Sequence, residues 1–326
     1  MKIVTTKYRG KIAETCHIAN AVAVNQKGDV LFSAGEENYP AFLNEVDVPF
    51  RTLTLLREKV DNKYDFSDKD LALFSSKHKG EEQFVKNIKS IVEDLDIDPK
   101  NMLCKEEVPE DNSSYERLII QGKRPTAFHN AQSGVHAGML ALDKADDDSV
   151  SDYTSFNHPV QTQILDTVKD YTNEEEIYRE VDDNGVPTFT LPLKNIAGFY
   201  CDLIKKDDKH LKKITEILAK DNEFVNSEDT FPYVFSEKMK EKGLTFIASS
   251  GLLAMGLRSK SDDFIGIAVK TLSGDIQAAI SMAMEIISHL KLLKEDTLEQ
   301  FEEFHEPKVT DKAGETITKV ETDIRS

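Results

Sequence analysis

The sequence is short of positive charge. Its 41 lysines and arginines stand against 59 aspartates and glutamates, a formal net charge of −18 and a pI near 4.9. Such a field repels phosphate backbones and anionic lipid heads, so neither nucleic acid nor a membrane surface is an expected partner. Cysteine is scarce: Cys16, Cys104 and Cys201 lie far apart, are odd in number and form no C-x-x-C. That argues against a disulfide framework and a zinc site, and for a reducing compartment. No run of apolar residues reaches the length of a membrane span, and the opening MKIVTTKYRGKIAETCHIAN has no signal-peptide core. A soluble cytoplasmic protein is expected. Also missing are a P-loop, a G-x-G-x-x-G fingerprint and a G-x-S-x-G elbow, so no cofactor and no resident metal are expected. Tryptophan is absent too, which excludes nothing.

What is present is enough for a large core: 326 residues, 39% of them hydrophobic. Residues 19 to 34, ANAVAVNQKGDVLFSA, alternate around Lys27-Gly28-Asp29 and predict a β-hairpin. Two or three further apolar runs fill 244 to 275, with a turn near Ser259 to Asp263. Between them the pattern is helical. EQFVKNIKSIVEDLDI places Phe84, Ile88, Ile91 and Leu95 on one face, and HAGMLALDKA, HPVQTQILDTVKDY, LPLKNIAGFYCDLIKK and HLKKITEILAK continue in that vein. A long helix over 275 to 295 and a β-like run over 315 to 324 close the chain. Acidic clusters at 145 to 152 and 173 to 183 are expected to be solvated loops. The economical arrangement is an α/β fold whose sheet comes from both chain ends, 1–60 plus 240–326. A mainly helical domain, 61–239, is inserted, the whole forming one two-lobed unit. A groove between the lobes is the default ligand site.

One stretch is unusually rich in chemistry. FHNAQSGVHAGML, 128 to 140, gathers His129, Asn130, Ser133, Gly134 and His136 ahead of a helix. The free N–H groups of a first helical turn favour an anion or carboxylate. Ser133 can cap, Gly134 lets a ligand approach the backbone, and His136 can reach a bound group. The plainer alternative is a capped helix with two hydrogen-bonded histidines. A second group is Glu14 and His17, three apart behind Arg9-Gly10, read as facing the same way or as an ordinary ion-pairing segment. His158-Pro159-Val160-Gln161 reads as a turn into a helix, and Asn184-Gly185-Val186-Pro187-Thr188 as a rigid turn.

These stretches together resemble the rhizobial-type L-asparaginases, the asparaginase II family. YRGKIAETCHIANAVAV is similar to that family's R-G-x-x-x-E-S-x-H-x-G-x-x-x-V, and FHNAQSGVHAGMLAL to its H-N-x-C-S-G-K-H-A-G-M. FNHPVQTQI, DDNGVPTFTLPLKNIAGFY and GIAVKTLSGD match further motifs in the family's order. The resemblance implies a fold like that of serine β-lactamases and penicillin-binding proteins. It also implies amide hydrolysis of L-asparagine to L-aspartate and ammonia, and a homodimer.

The departures fall on the reacting groups. Where the family has F-P-R-S-x-x-K-P-F-Q, this chain has FLNEVDVPFR, with Glu45 at the serine and Val48 at the lysine. The second serine, in S-H-x-G-E, is Lys77 here, although Ser75 and Ser76 precede it. The family's K-x-G-A-E-G corresponds to IASSGLL, without lysine. Gln132, Val135 and Asn184 stand at the zinc-site positions. The expectation is therefore an impaired or inactive homologue that keeps a pocket for a small amino acid or amide, lined by Glu14, His17, His129, Asn130, Ser133, Gly134 and His136. The alternative is an active amidohydrolase with a relocated nucleophile. Thr15, Ser76 and Ser133 are the candidates, with His136, His129 or Lys77 as base. A third reading gives Glu45 or Lys77 an acid or base role in a different reaction.

Overall fold

The structure, a computed structural model, describes residues 1–146 and 152–325. The chain divides into two compact units. One comprises residues 1–46, 190–207 and 238–326, the other 47–189 and 208–237. These bounds differ from those expected. The helix Val48–Arg57 goes with the helical unit, and the helix Leu193–Lys205 with the sheet.

The first unit holds an eight-stranded antiparallel sheet. Its strands are β1 (Lys2–Arg9), β2 (Ile12–Asn25), β3 (Val30–Ala34), β4 (Gly243–Ile247), β5 (Leu252–Arg258), β6 (Phe264–Thr271), β7 (Lys308–Thr310) and β8 (Thr316–Arg325). The order is β7-β8-β1-β2-β6-β5-β4, with β3 paired to the far half of β2. The sheet is thus drawn from both chain ends, as expected: β1 pairs β8 from Lys2↔Arg325 to Arg9↔Thr318. The predicted hairpin is β2–β3, and the turn between β5 and β6 closes with the Ser259 N–H on the Asp263 carbonyl. β1 itself is an addition to the sequence reading.

The helix Leu193–Lys205 lies directly on this sheet. Gly256 and Gly266 face each other across β5 and β6. A Cβ at Gly266 would stand 1.7 Å from the Ala197 carbonyl, and one at Gly256 2.1 Å from that of Tyr200. Two glycines side by side therefore let the helix backbone touch the strands. The helix Ile276–His289 is capped by the Asp275 carboxylate on the Ala278 N–H and buries Ala278, Ala279, Ile280, Ala283 and Ile287.

The second unit is helical. The helix Glu82–Asp94 buries Phe84, Ile88 and Ile91, the residues its period predicts. The helix Val48–Arg57 is buried from Val48 to Leu56, with Pro49 in its first turn. Pro159 likewise opens the helix Pro159–Thr172 behind a His158 cap, so HPVQ is the helix entry expected. Of the acidic cluster at 145 to 152, residues 147–151 lie outside the described residues. The cluster at 173 to 183 includes a short strand, Arg179–Val181.

Candidate functional site

In the helical unit, FHNAQSGVHAGML forms a 3-10 turn, Ala127–His129, and the start of the helix Ser133–Asp146. Thr126 and His129 cap that turn reciprocally: the Thr126 N–H donates to His129 Nδ1 at 3.0 Å. The Asn130 side-chain oxygen accepts the Gln132 N–H, and its carbonyl accepts the Ser133 N–H. Ser133 and His136 are fully buried, and Asn130 nearly so. The space beside Gly134 is filled: a Cβ would stand 2.0 Å from the Leu73 carbonyl and 2.4 Å from Ser76 Oγ. The glycine is the point where one helix rests on the preceding segment.

A histidine that the sequence reading passed over completes this group. His78, from KHKGE, places Nε2 2.9 Å from Ser133 Oγ and stacks on Phe84. The pair looks like a nucleophile and its base, but the protons run the wrong way. The Gly80 N–H donates to His78 Nδ1, so the neutral ring carries its proton on Nε2 and donates it to Ser133. The Ser133 hydroxyl in turn donates to the Phe128 carbonyl. His78 therefore has no lone pair directed at the serine. Burial, with a smaller contribution from nearby His129, pushes its pKa down to about 3, which keeps the ring neutral.

His136 is wired into the core as well. Its Nδ1 lies 2.9 Å from the Tyr153 hydroxyl, which also accepts the Leu103 N–H. Burial, then the Arg51 charge, lowers its pKa to about 3. Among the described residues, His136 Nε2 and Gln161 Oε1 have no protein hydrogen-bond partner. Arg51, the neighbouring cation, is buried in a two-pronged pair with Asp47 at 2.8 and 2.5 Å and donates to the Pro187 carbonyl. Of the other candidates in this unit for a relocated reaction, the nucleophile candidate Ser76 is fully buried, and the base candidate Lys77 bonds the Val225 carbonyl through its backbone N–H. The turn at Asn184 is held by Asp182, whose carboxylate accepts the Asn184 and Val186 N–H groups.

In the sheet unit, Glu45 is buried, with 8% of its surface exposed. Its carboxylate accepts the Ser249 N–H at 3.1 Å, and Asn44 donates to Ser250 Oγ at 3.2 Å. Lys270 joins the same turn, its ammonium donating to the Ser250 and Thr271 carbonyls at 2.6 and 3.0 Å. Burial lowers the Lys270 pKa. This lysine was quoted within GIAVK without a role. It bonds carbonyls, not a serine hydroxyl.

Glu14 and His17 both lie within β2, but the β1–β2 register shifts at Glu14, so simple alternation does not set the pair on opposite faces. Glu14 pairs with Lys7, which lines the same cavity as His17, in keeping with a shared face. Glu14 is an exposed partner of Arg9 and Lys7. His17 Nδ1 lies 2.8 Å from Ser273 Oγ, and its Nε2 is 4.0 Å from the Asp275 carboxylate. His17 also lines a cavity of about 360 Å³ with Lys7, Thr15, Asp275 and Gln277. A larger cavity, about 750 Å³, lies in the helical unit and includes His129.

A family model, L-asparaginase II, matches residues 5–322. The chain belongs to the L-asparaginase II family. Among solved structures it is similar to a β-lactamase from Sphaerobacter thermophilus DSM 20745, at 11% identity and a TM-score of 0.41, over 85% of this chain and 92% of that one. A likeness at that level carries no argument. A search of curated proteins finds no match.

For a chain of the L-asparaginase II family, the donor set at the zinc positions is unsuited to the metal. Gln132 and Asn184 are amides and Val135 is a buried aliphatic side chain. None offers the thiolate or imidazole that zinc prefers. Among the described residues no cluster of three or more histidines, cysteines and carboxylates could hold a metal ion, and no helix is long and apolar enough to cross a membrane.

Proposed function

We propose that this L-asparaginase II family chain no longer hydrolyses amides and keeps a pocket for a small amino acid or amide. The observation that supports it most is the use made of the nucleophile's place. Glu45 spends its carboxylate on the Ser249 N–H, and Val48 is a buried aliphatic side chain at the head of a helix. A carboxylate tied to a backbone donor is a poor substitute for a serine alkoxide, and valine takes up no proton. Loss of the nucleophile in a serine hydrolase costs on the order of 10⁶ in rate. The reversed wiring of His78 and Ser133 argues against relocation of the chemistry to the motif.

The seven residues expected to bind the ligand do not contribute equally in this reading. Ser133, Gly134 and His136 hold the fold, Asn130 braces the turn ahead of a helix, Glu14 pairs with cations, and His17 and His129 face cavities. The His17 cavity suits an amino acid in size and sign. Lys7 meets a carboxylate, Asp275 an ammonium, and Thr15, His17 and Gln277 supply hydrogen bonds. We place the protein in the cytoplasm as a homodimer, without cofactor.

Thermal denaturation with L-asparagine, L-aspartate and L-glutamine, alongside ammonia assays, tests the proposal. A ligand at about a hundred times its Kd stabilises by about 2.7 kcal/mol whether or not it reacts. The expected result is a raised Tm for at least one of the three, no ammonia, and no shift in His17→Ala. Turnover that Thr15→Ala or Ser133→Ala abolishes would overturn the loss of hydrolysis. An unchanged shift in His17→Ala would overturn the choice of cavity.

A further inference from the structure

A recess in the helical unit has a charge at odds with the rest of the molecule. The chain carries −18, yet the walls of this cavity of about 750 Å³ bring in Lys89, Lys100, Arg117 and Lys123 against only Glu82 and Glu106. Arg117 is paired with Glu82, and Lys89 lies 3.6 Å from Glu93. Among the described residues, Lys100 and Lys123 have no ion-pair partner. Lys100 and Lys123, set against the single Glu106 carboxylate, leave one recess of a strongly acidic protein net positive, a local attraction for anions that the overall field would otherwise repel.

The recess also has an apolar side. Met102, with Phe128 and Val85, lines it below the charged rim, and Met102 and Phe128 are themselves buried. Its volume is that of a site for one small molecule, with hydrophobic walls and a few placed charges. Inorganic phosphate would leave those walls unused. A neutral hydrophobe would leave the lysines unused.

We propose that this cavity binds a small organic anion carrying two or more negative charges on a planar or apolar body. The body packs on Met102 and Phe128, and Lys100 and Lys123 meet the charges. The site is separate from the His17 cavity, and the inference does not depend on the function proposed above. It is wired to the family motif: Gly80, Phe128 and His129 line the recess, and Gly80 N–H and the Phe128 carbonyl are the two ends of the His78–Ser133 chain. A ligand there presses on the walls that hold the start of the helix Ser133–Asp146.

Titration calorimetry of the full chain tests this with two probes of the stated chemistry, naphthalene disulfonate and ADP. Pyrophosphate supplies charge without a body, and adenosine a body without charge. At least one probe is expected to bind with one-to-one stoichiometry, about tenfold or more tighter than either control, and to weaken as salt is raised. The double variant Lys100→Gln, Lys123→Gln changes two exposed side chains and is expected to fold normally. It should weaken the probe about tenfold or more, as loss of charge-assisted contacts requires. Failure of both probes to bind, binding unchanged in the double variant, or pyrophosphate matching the probes would each overturn the proposal.

Discussion

Two stretches of this chain have fared differently. FHNAQSGVHAGM resembles the family's motif in most of its letters, while FLNEVDVPFR, in the reading proposed above, departs at the two that would react. The structure gives each a physical reason. In the first, the retained residues are needed where they stand: Gly134 makes room for the Leu73 carbonyl, Ser133 accepts a hydrogen bond from His78 and donates its own to a backbone oxygen, and His136 holds Tyr153. In the second, the replacements have found structural partners of their own, Glu45 on the Ser249 N–H and Arg51 on Asp47. On the proposed reading, family letters persist for packing after the chemistry beside them has gone.

The comparison can be broken most severely by acid. His78 and His136 are buried neutral, with pKa values near 3 against an ordinary 6.5. Below about 6.5 the unfolded chain binds protons that the folded chain refuses. Stability is therefore full above that pH and falls as pH drops toward 3, by on the order of 1 kcal/mol per pH unit for each ring. Urea melts across this window should show the slope, and His78→Gln should reduce it. A slope identical in the variant would mean that the ring is not held neutral.

Packing comes next. Gly134→Ala forces a methyl into a carbonyl at 2.0 Å and should cost about 3 kcal/mol in a urea melt. If the variant is as stable as the parent and loses ligand binding instead, the glycine serves a ligand and the comparison fails. Ser133→Ala removes a buried relay and strands His78 Nε2–H, a loss of about 1–3 kcal/mol. A double-mutant cycle with His78→Ala should show a coupling of about 1 kcal/mol. The mildest effect is expected in the other stretch. Glu45→Gln keeps an acceptor for the Ser249 N–H and loses only its charge, so the melt should shift by about 1 kcal/mol or less. A much larger loss would give Glu45 a role beyond holding that turn.

Much of the fold was legible because it follows local periods. The β2–β3 hairpin alternates around a glycine turn, and the helix Glu82–Asp94 shows its apolar face every third or fourth residue. Strand β1 was only partly legible: Gly10, at a φ of 58°, makes the two-residue turn from β1 to β2, but the other partner, β8, lies at the opposite end of the chain. The helix Val48–Arg57 escaped for another reason. It is buried on every side, so VPFRTLTLLR carries no amphipathic stripe, and its β-branched residues speak against a helix. At the candidate site the motif was visible but its wiring was not. His78 is a single letter in KHKGE, 55 positions from its partner Ser133, and which ring nitrogen carries the proton depends on the Gly80 N–H. The strand that carries Glu14 and His17 was not read, and their relation depends on the irregularity at Glu14, where β2 holds one residue more than β1. Neither cavity could be seen, since each is walled by side chains from several separate segments.

In the proposed reading the reacting groups are gone and have not been replaced. Ammonia release from L-asparagine by the purified full chain, measured beside a Ser133→Ala variant, tests it most directly. The account predicts no release above the buffer blank from either protein, both folded. Release by the parent that the variant lacks would contradict it, and would make Ser133 a working nucleophile despite its proton being held by the Phe128 carbonyl.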